Sequence, residues 1–134
     1  KNLKNGRVVW YAPDQDFGRN GAVFVPFFHH PAATLTTVGK LLKVTGAKAL
    51  FYSLFRTEHN GKTVYRARIH DPFHDGFNDD DIHNATLLNQ AIAEVIREHP
   101  EQYLWVHERF RTRPQAGDPK LYRIGKKKKK AKNT

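Results

Sequence analysis

The sequence predicts an α/β fold, and three observations carry that expectation. Val8, Val9, Trp10 and Tyr11 form a near-continuous apolar run, the pattern of a strand covered on both faces. Ile82, Ala85, Leu88, Ile92, Val95 and Ile96 recur at helical spacing and give one apolar face over about four turns. Between these two segments, strand-like and helix-like stretches alternate, which is the order of an α/β chain.

Taken in order, Arg7 to Ala12 reads as the first strand and Pro13 ends it. Asp14 to Gly21 is a loop punctuated by Gly18 and Gly21. Ala22 to Phe28 is strongly apolar, and Pro26 assigns it to an edge strand or a short extended segment. Pro31 suits the first turn of a helix. Ala32 to Val44 follows as that helix, with Leu35, Val38, Leu41, Leu42 and Val44 at roughly helical spacing and Gly46 as its stop. Its three threonines and Gly39 weaken it. Ala47 to Arg56 reads as a strand, Asn60-Gly61 as a tight hairpin turn, and Thr63 to His70 as the returning strand. Asp71 to Asp80 is a polar loop whose last residues can cap the strong helix over 82–96. Pro100-Glu101-Gln102 then opens a second short helix, Tyr103 to Phe110. The elements are too few for a complete doubly wound sheet. A first strand buried on both faces calls for neighbours this chain does not supply, so part of the domain is expected to lie upstream of it.

With 134 residues the chain is one domain at most, or part of one. No apolar run approaches the roughly 20 residues of a membrane span, and the first residues have no signal-peptide core. There is no cysteine, which removes disulfide and thiolate chemistry. The formal net charge of +10 is unevenly placed: residues 125–134 hold six lysines and no acid, and without them 17 basic residues face 13 acidic ones, a net +4. A lysine run of this kind is ordinarily a solvated tail. Attraction to an anionic membrane face is the next reading, and nucleic-acid contact the third.

The residues that carry chemistry begin at the end of the first strand. Val9-Trp10-Tyr11-Ala12-Pro13-Asp14-Gln15-Asp16-Phe17-Gly18 delivers two carboxylates, one residue apart, to a loop. Such a pair is good turn chemistry, because aspartate side chains bond nearby backbone N–H groups. Together with Val23-Phe24-Val25-Pro26-Phe27-Phe28, Ala32-Ala33-Thr34, Pro100-Glu101-Gln102-Tyr103-Leu104-Trp105-Val106-His107 and Arg113-Pro114, this stretch resembles the C-terminal part of the late lipid A acyltransferases, the lauroyl and myristoyl transferases of Gram-negative bacteria. The resemblance covers about residues 6–114, in order. It implies a partial three-layer α/β acyltransferase domain over 1–114 and a polar, lysine-rich tail over 115–134.

It further implies an acyltransferase at the cytoplasmic face of the cell inner membrane. Such an enzyme moves a fatty acyl chain from acyl carrier protein to a lipid A precursor, in contact with the membrane surface and with no specific nucleic acid. The family's catalytic His-x4-Asp/Glu motif lies well upstream of the Tyr-Ala-Pro-Asp block, so no catalytic residue is expected in this chain, and the isolated chain is expected to be inactive. His70 to Asp75 and His74 to Asp79 spell His-x4-Asp, and a histidine oriented by an acid could deprotonate a hydroxyl. Both are set aside. Three histidines and five acids fall within residues 70–83, which makes chance matches cheap, Pro72 obstructs a helical presentation, and the motifs follow the hairpin rather than precede the first strand.

Under the resemblance, Asp14 and Asp16 become active-site support, one of them holding an arginine or the catalytic histidine. Arg19, Arg109, Arg111 and Arg113 become a substrate-binding set for the lipid's phosphates or the acidic carrier protein, to which the arginine fork is suited; a solvated basic helix end is the plain reading of the same cluster. The family pattern has two arginines after His107, and here Glu108 replaces the first. Tyr103 and Trp105 read as packing residues. Phe24, Phe27 and Phe28 read as core, with an acyl-chain lining as the other reading. The two aspartates with His29 and His30 lack a specific metal-ligand spacing, and neither reading calls for a cofactor. From a different class, the chain could be a small basic module binding nucleic acid or an anionic membrane through its aromatic and basic residues, although it carries no recognisable nucleic-acid motif.

Overall fold

The computed structural model describes residues 1–70, 73 and 76–122. It is a small mixed α/β arrangement of two antiparallel hairpins and two helices among the described residues. Strands β1 (Ala22–Phe27) and β2 (His30–Leu35) form the first hairpin, with Phe27 opposite His30 and Pro26 opposite Pro31. Across a two-residue turn, paired positions alternate between those whose backbone groups face the partner and those whose groups face away. Pro26 and Pro31 occupy the second kind, so neither missing N–H breaks the ladder. The Pro26 carbonyl, turned outward, accepts from Asn89 Nδ2 at 3.0 Å.

The helix expected from Ala32 begins later. Helix α1 runs Thr37–Thr45, because Ala32, Ala33 and Thr34 belong to β2, where all three are buried in succession as in a strand covered on both faces. Pro31 is therefore a strand residue and not a helix start. Gly46 does end α1, at φ 68°, with its N–H on the Leu42 carbonyl at 2.8 Å.

Strands β3 (Phe51–His59) and β4 (Lys62–His70) form the second hairpin, closed by Asn60 and Gly61 at φ 50° and 72°. Two left-handed residues in succession are what the Asn-Gly pair supplies. Helix α2 runs Asp81–Glu98 and is capped by Asp80, whose side chain accepts from the Ile82 N–H at 2.8 Å. Its face of Leu88, Ala91, Ile92, Ala93 and Ile96 packs on Phe27 and Ala32 of the first hairpin to make the core, which Phe51 and Phe73 extend toward the second.

Two further sequence expectations are corrected. Arg7 to Ala12 forms no strand, and Val8 and Trp10 are 98% and 78% exposed. Each described sheet is a hairpin whose two strands pair with each other, and this segment joins neither. Tyr103 to Phe110 is not an α-helix. Pro100–Gln102 and Trp105–His107 are single 3₁₀ turns separated by Tyr103, which is extended, and Leu104, and Glu108 ends the second at φ 50°. That path turns Tyr103, Arg109 and Phe110 toward Phe27.

Candidate functional site

The first hairpin, helix α2 and the segment after it bring residues 14–19 and 109–114 together. Asp16 is buried, and its carboxylate accepts three hydrogen bonds: from the Gly18 N–H at 2.9 Å, the Thr112 N–H at 2.6 Å and Thr112 Oγ1 at 2.7 Å. The first of these is the turn chemistry of a Pro-Asp-x-Asp loop. The other two staple the loop to a residue 96 positions away. The Asp16 carbonyl accepts from Arg111 Nη2 at 2.9 Å. Arg19 reaches the same place from the other side: its Nη1 donates to the Pro114 carbonyl at 3.0 Å and its Nη2 to the Arg113 carbonyl. Arg19 also lies over the Phe24 ring, 5.3 Å from its centre.

Arg109 is placed differently from its neighbours. It is 1% exposed, and its guanidinium donates to the Ala33 carbonyl at 2.6 Å, to Thr34 Oγ1 at 2.8 Å and to Asn89 Oδ1 at 3.2 Å, while lying 5.3 Å over the Phe27 ring. Burial pushes its pKa down, and the nearby Tyr103, Asp16 and Asp14 act in the opposite direction. The half-buried Asp14 contributes charge to this cluster. Tyr103, which lies between the two, has its hydroxyl pKa pushed up by burial and then by the Asp14 carboxylate. Arg109 thus locks the outer edge of β2 to α2: its Nη1 and Nη2 donors are spent within the fold, and its buried Nε has no described partner.

Arg113 is the contrasting member. It is half-buried, and its Nε and Nη1 meet no acceptor among the described residues. Arg111 is exposed beside it, and Arg19 is exposed on its carbonyl. The guanidinium groups of Arg19 and Arg111 therefore tie the two segments together around Asp16, and Arg113, on the same segment, keeps donors unspent. An arrangement of this kind can hold a phosphate or carboxylate. Among the described residues, no three His, Asp or Glu side chains converge as metal ligands do.

The sequence singled out the arginines and aspartates but missed Asn89, Thr112 and Gln102. Asn89 had a legible signal. It stands four residues after Ala85 and three before Ile92, so a polar amide occupies the apolar face of α2. Thr112 and Gln102 had none, because their partners are far away in sequence.

Of the two histidine motifs, His74, Asp75 and the intervening Asp71 and Pro72 lie outside the described residues. His70 Nε2 is 2.9 Å from Ser53 Oγ on the inner face of the second hairpin. Phe27 belongs to the core, while Phe24 and Phe28 are half-buried, the latter at a cleft of about 480 Å³ between β1 and α2.

A sequence profile for the bacterial lipid A biosynthesis acyltransferases matches residues 1–112. The chain belongs to that family. It is 41% identical over 122 residues to the lipid A biosynthesis palmitoleoyltransferase of Escherichia coli (strain K12), covering 90% of this chain and 38% of the relative. It is also 41% identical over 123 residues to the lauroyltransferase of the same strain, covering 91% and 39%. A lipid A biosynthesis acyltransferase of Haemophilus influenzae is 33% identical over 134 residues, again covering 91% and 39%. The chain thus spans about two fifths of the length of these acyltransferases. Among the described residues no helix is long and apolar enough to cross a membrane.

Proposed function

We propose that this chain is the C-terminal part of a lipid A acyltransferase domain, folded over residues 1–114, that holds the phosphorylated acceptor while the proton-transfer groups come from the family's upstream length. The donor is acyl carrier protein, the acceptor a lipid A precursor, and the work is done at the cytoplasmic face of the inner membrane. The observation that carries this reading is Arg113: its buried Nε and Nη1 have no described partner, on a segment that Arg19 and Arg111 tie to the Asp16 loop. A lipid phosphate supplies the acceptor oxygens this group lacks. Asp16 supports the site by fixing Thr112, midway between Arg111 and Arg113. Arg109 serves the same end from within, as a pin rather than a phosphate ligand. The part of the family's length that this chain does not span would complete the three-layer arrangement.

The test is reconstitution. The chain alone should transfer no acyl group from carrier protein to lipid A precursor. Mixed with the portion of the Escherichia coli lauroyltransferase that it does not align with, it should gain turnover, and Arg113→Ala should raise KM for the acceptor about tenfold or more with a smaller change in kcat. Turnover by the isolated chain that disappears in His70→Ala would overturn the reading, and so would reconstituted turnover indifferent to Arg113.

A further inference from the structure

Both hairpins present edges, and the four edges are treated differently. On β1, Pro26 has no N–H, its carbonyl is taken by Asn89, and the Ala22 N–H is taken by the Arg19 carbonyl. On β2, the outward Ala33 carbonyl is taken by Arg109. On β3, the outward N–H and carbonyl of Arg56 are both taken by the side-chain amide of Gln102, at 2.8 and 3.0 Å, as a neighbouring strand would take them. The outward groups of Tyr52, Leu54 and Glu58 on β3 have no described partner, and on β4 not one outward position is taken. The two-residue turn fixes Thr63, Tyr65, Ala67 and Ile69 as the positions whose backbone groups face away from β3, and among the described residues none of these groups has a partner. β4 contains no proline, is rich in the residue types that favour strands, and is nearly all exposed. An edge this long and this open is a template for another strand.

We infer that β4 is a strand-addition site, and that its occupant is an extended segment alternating apolar with acidic residues, supplied by the portion of the family's length that this chain does not span. The side chains specify that chemistry. On one face Tyr65 and Ile69, 68% and 69% exposed, adjoin Leu54 and Tyr52 of β3 in an uncovered apolar patch. On the other face Lys62, Arg66 and Arg68 stand in a row, with Glu98 answering only Arg68 at 2.8 Å. A second copy of this chain fits poorly. Antiparallel pairing of two β4 edges about a two-fold axis sets the cationic rows of the copies against each other, and like charges directly opposite are destabilising. A strand bearing acids on that face and apolar groups on the other is complementary on both. The inference rests on the proposed function for the source of the strand, since the chain spans 38% and 39% of the two Escherichia coli relatives.

The test uses the full chain, isotope-labelled, mixed with the non-overlapping portion of the Escherichia coli lauroyltransferase. Amide hydrogen exchange is read at Thr63, Tyr65, Ala67 and Ile69. Exchange at these four positions should slow by roughly tenfold or more on complex formation. Ala67→Pro removes one outward N–H without touching the β3 ladder, and it should weaken the complex several-fold while the free chain keeps its melting curve. A complex in which the four amides exchange as in the free chain, a complex indifferent to Ala67→Pro, or no complex at all overturns the inference. Acyl transfer regained without protection of β4 would sink strand addition and leave the acyltransfer reading standing. Protection without acyl transfer would do the reverse.

Discussion

Arg109 and Arg113 lie four residues apart on one segment and face opposite demands. Arg109 satisfies Ala33, Thr34 and Asn89, so Arg109→Ala leaves buried acceptors without donors and a pocket where a large side chain stood. Arg109→Ala should lower the unfolding free energy by about 3–5 kcal/mol in denaturant melts. Arg109→Lys should recover only part of that, because an ammonium cannot span the three acceptors in one plane. Arg113→Ala should cost well under half as much in the same melts, since its Nε and Nη1 have no described partner to lose. Equal losses at the two positions would mean that both are structural. The sequence shows four arginines in the two segments, yet nothing in residue type separates a pin from a ligand-facing group. That distinction is made by Thr34, 75 positions away, and by Asn89, 20 positions away. The Asp14–Asp16 pair was legible as turn chemistry, and the Asp16–Gly18 bond is that turn. The longer staple to Thr112 was not, because only tertiary packing brings those residues together.

Among the elements, helix α1 shows how a packing requirement can outweigh propensity. Gly39 weakens the helix on its own terms, and replacing a helical glycine with alanine ordinarily stabilises by about 1 kcal/mol. Here a Cβ at Gly39 would lie 2.6 Å from Asn84 Nδ2. Asn84 cannot simply turn aside, since its Nδ2 donates to the Asn78 carbonyl at 2.7 Å and its Oδ1 accepts from the Asn78 N–H at 2.9 Å. Gly39→Ala should therefore destabilise by about 1–2 kcal/mol, and a rise in melting temperature would show that α1 and α2 do not approach this closely. The hairpin β3–β4 is tied to α2 by Arg68 and Glu98, whose carboxyl is held below the usual range chiefly by its hydrogen bond to Arg68. A carboxylate depressed in the folded state contributes stability above its unfolded pKa and loses it as pH falls through the folded one. The stability gap between the wild type and Glu98→Gln should therefore be constant near neutrality and close on acidification below the ordinary carboxylate range; a gap that widened there would refute the assignment. Strands β3 and β4 and helix α2 were readable because period and turn chemistry agree with one another along each. The start of α1 was misread because Pro31 and a run of small residues suit a helix as well as a doubly covered strand, and only the pairing of Ala32 with Val25 decides between them.

At the scale of the whole molecule, the sequence and the structure disagree most over Val8–Tyr11, and the disagreement is informative. The apolar pattern reads as a strand covered on both faces, while the described fold leaves Val8 98% and Trp10 78% exposed. Large apolar groups left in water, like a free strand edge, mark surfaces that other polypeptide covers. Both lie on a chain that spans about two fifths of its relatives' length. Trp10 offers a direct report, because the chain has two tryptophans and Trp105→Phe leaves it as the only one. In that variant the emission should lie at the red, water-exposed end and be quenched readily by acrylamide, a neutral quencher that the net charge of +10 does not attract. Adding the non-overlapping portion of the lauroyltransferase should move the emission to the blue and lower the quenching. A blue, protected Trp10 in the chain alone would show that Val8–Tyr11 is already covered without a second segment. Emission that stays red in an active reconstituted complex would show instead that the site assembles without burying Val8–Tyr11.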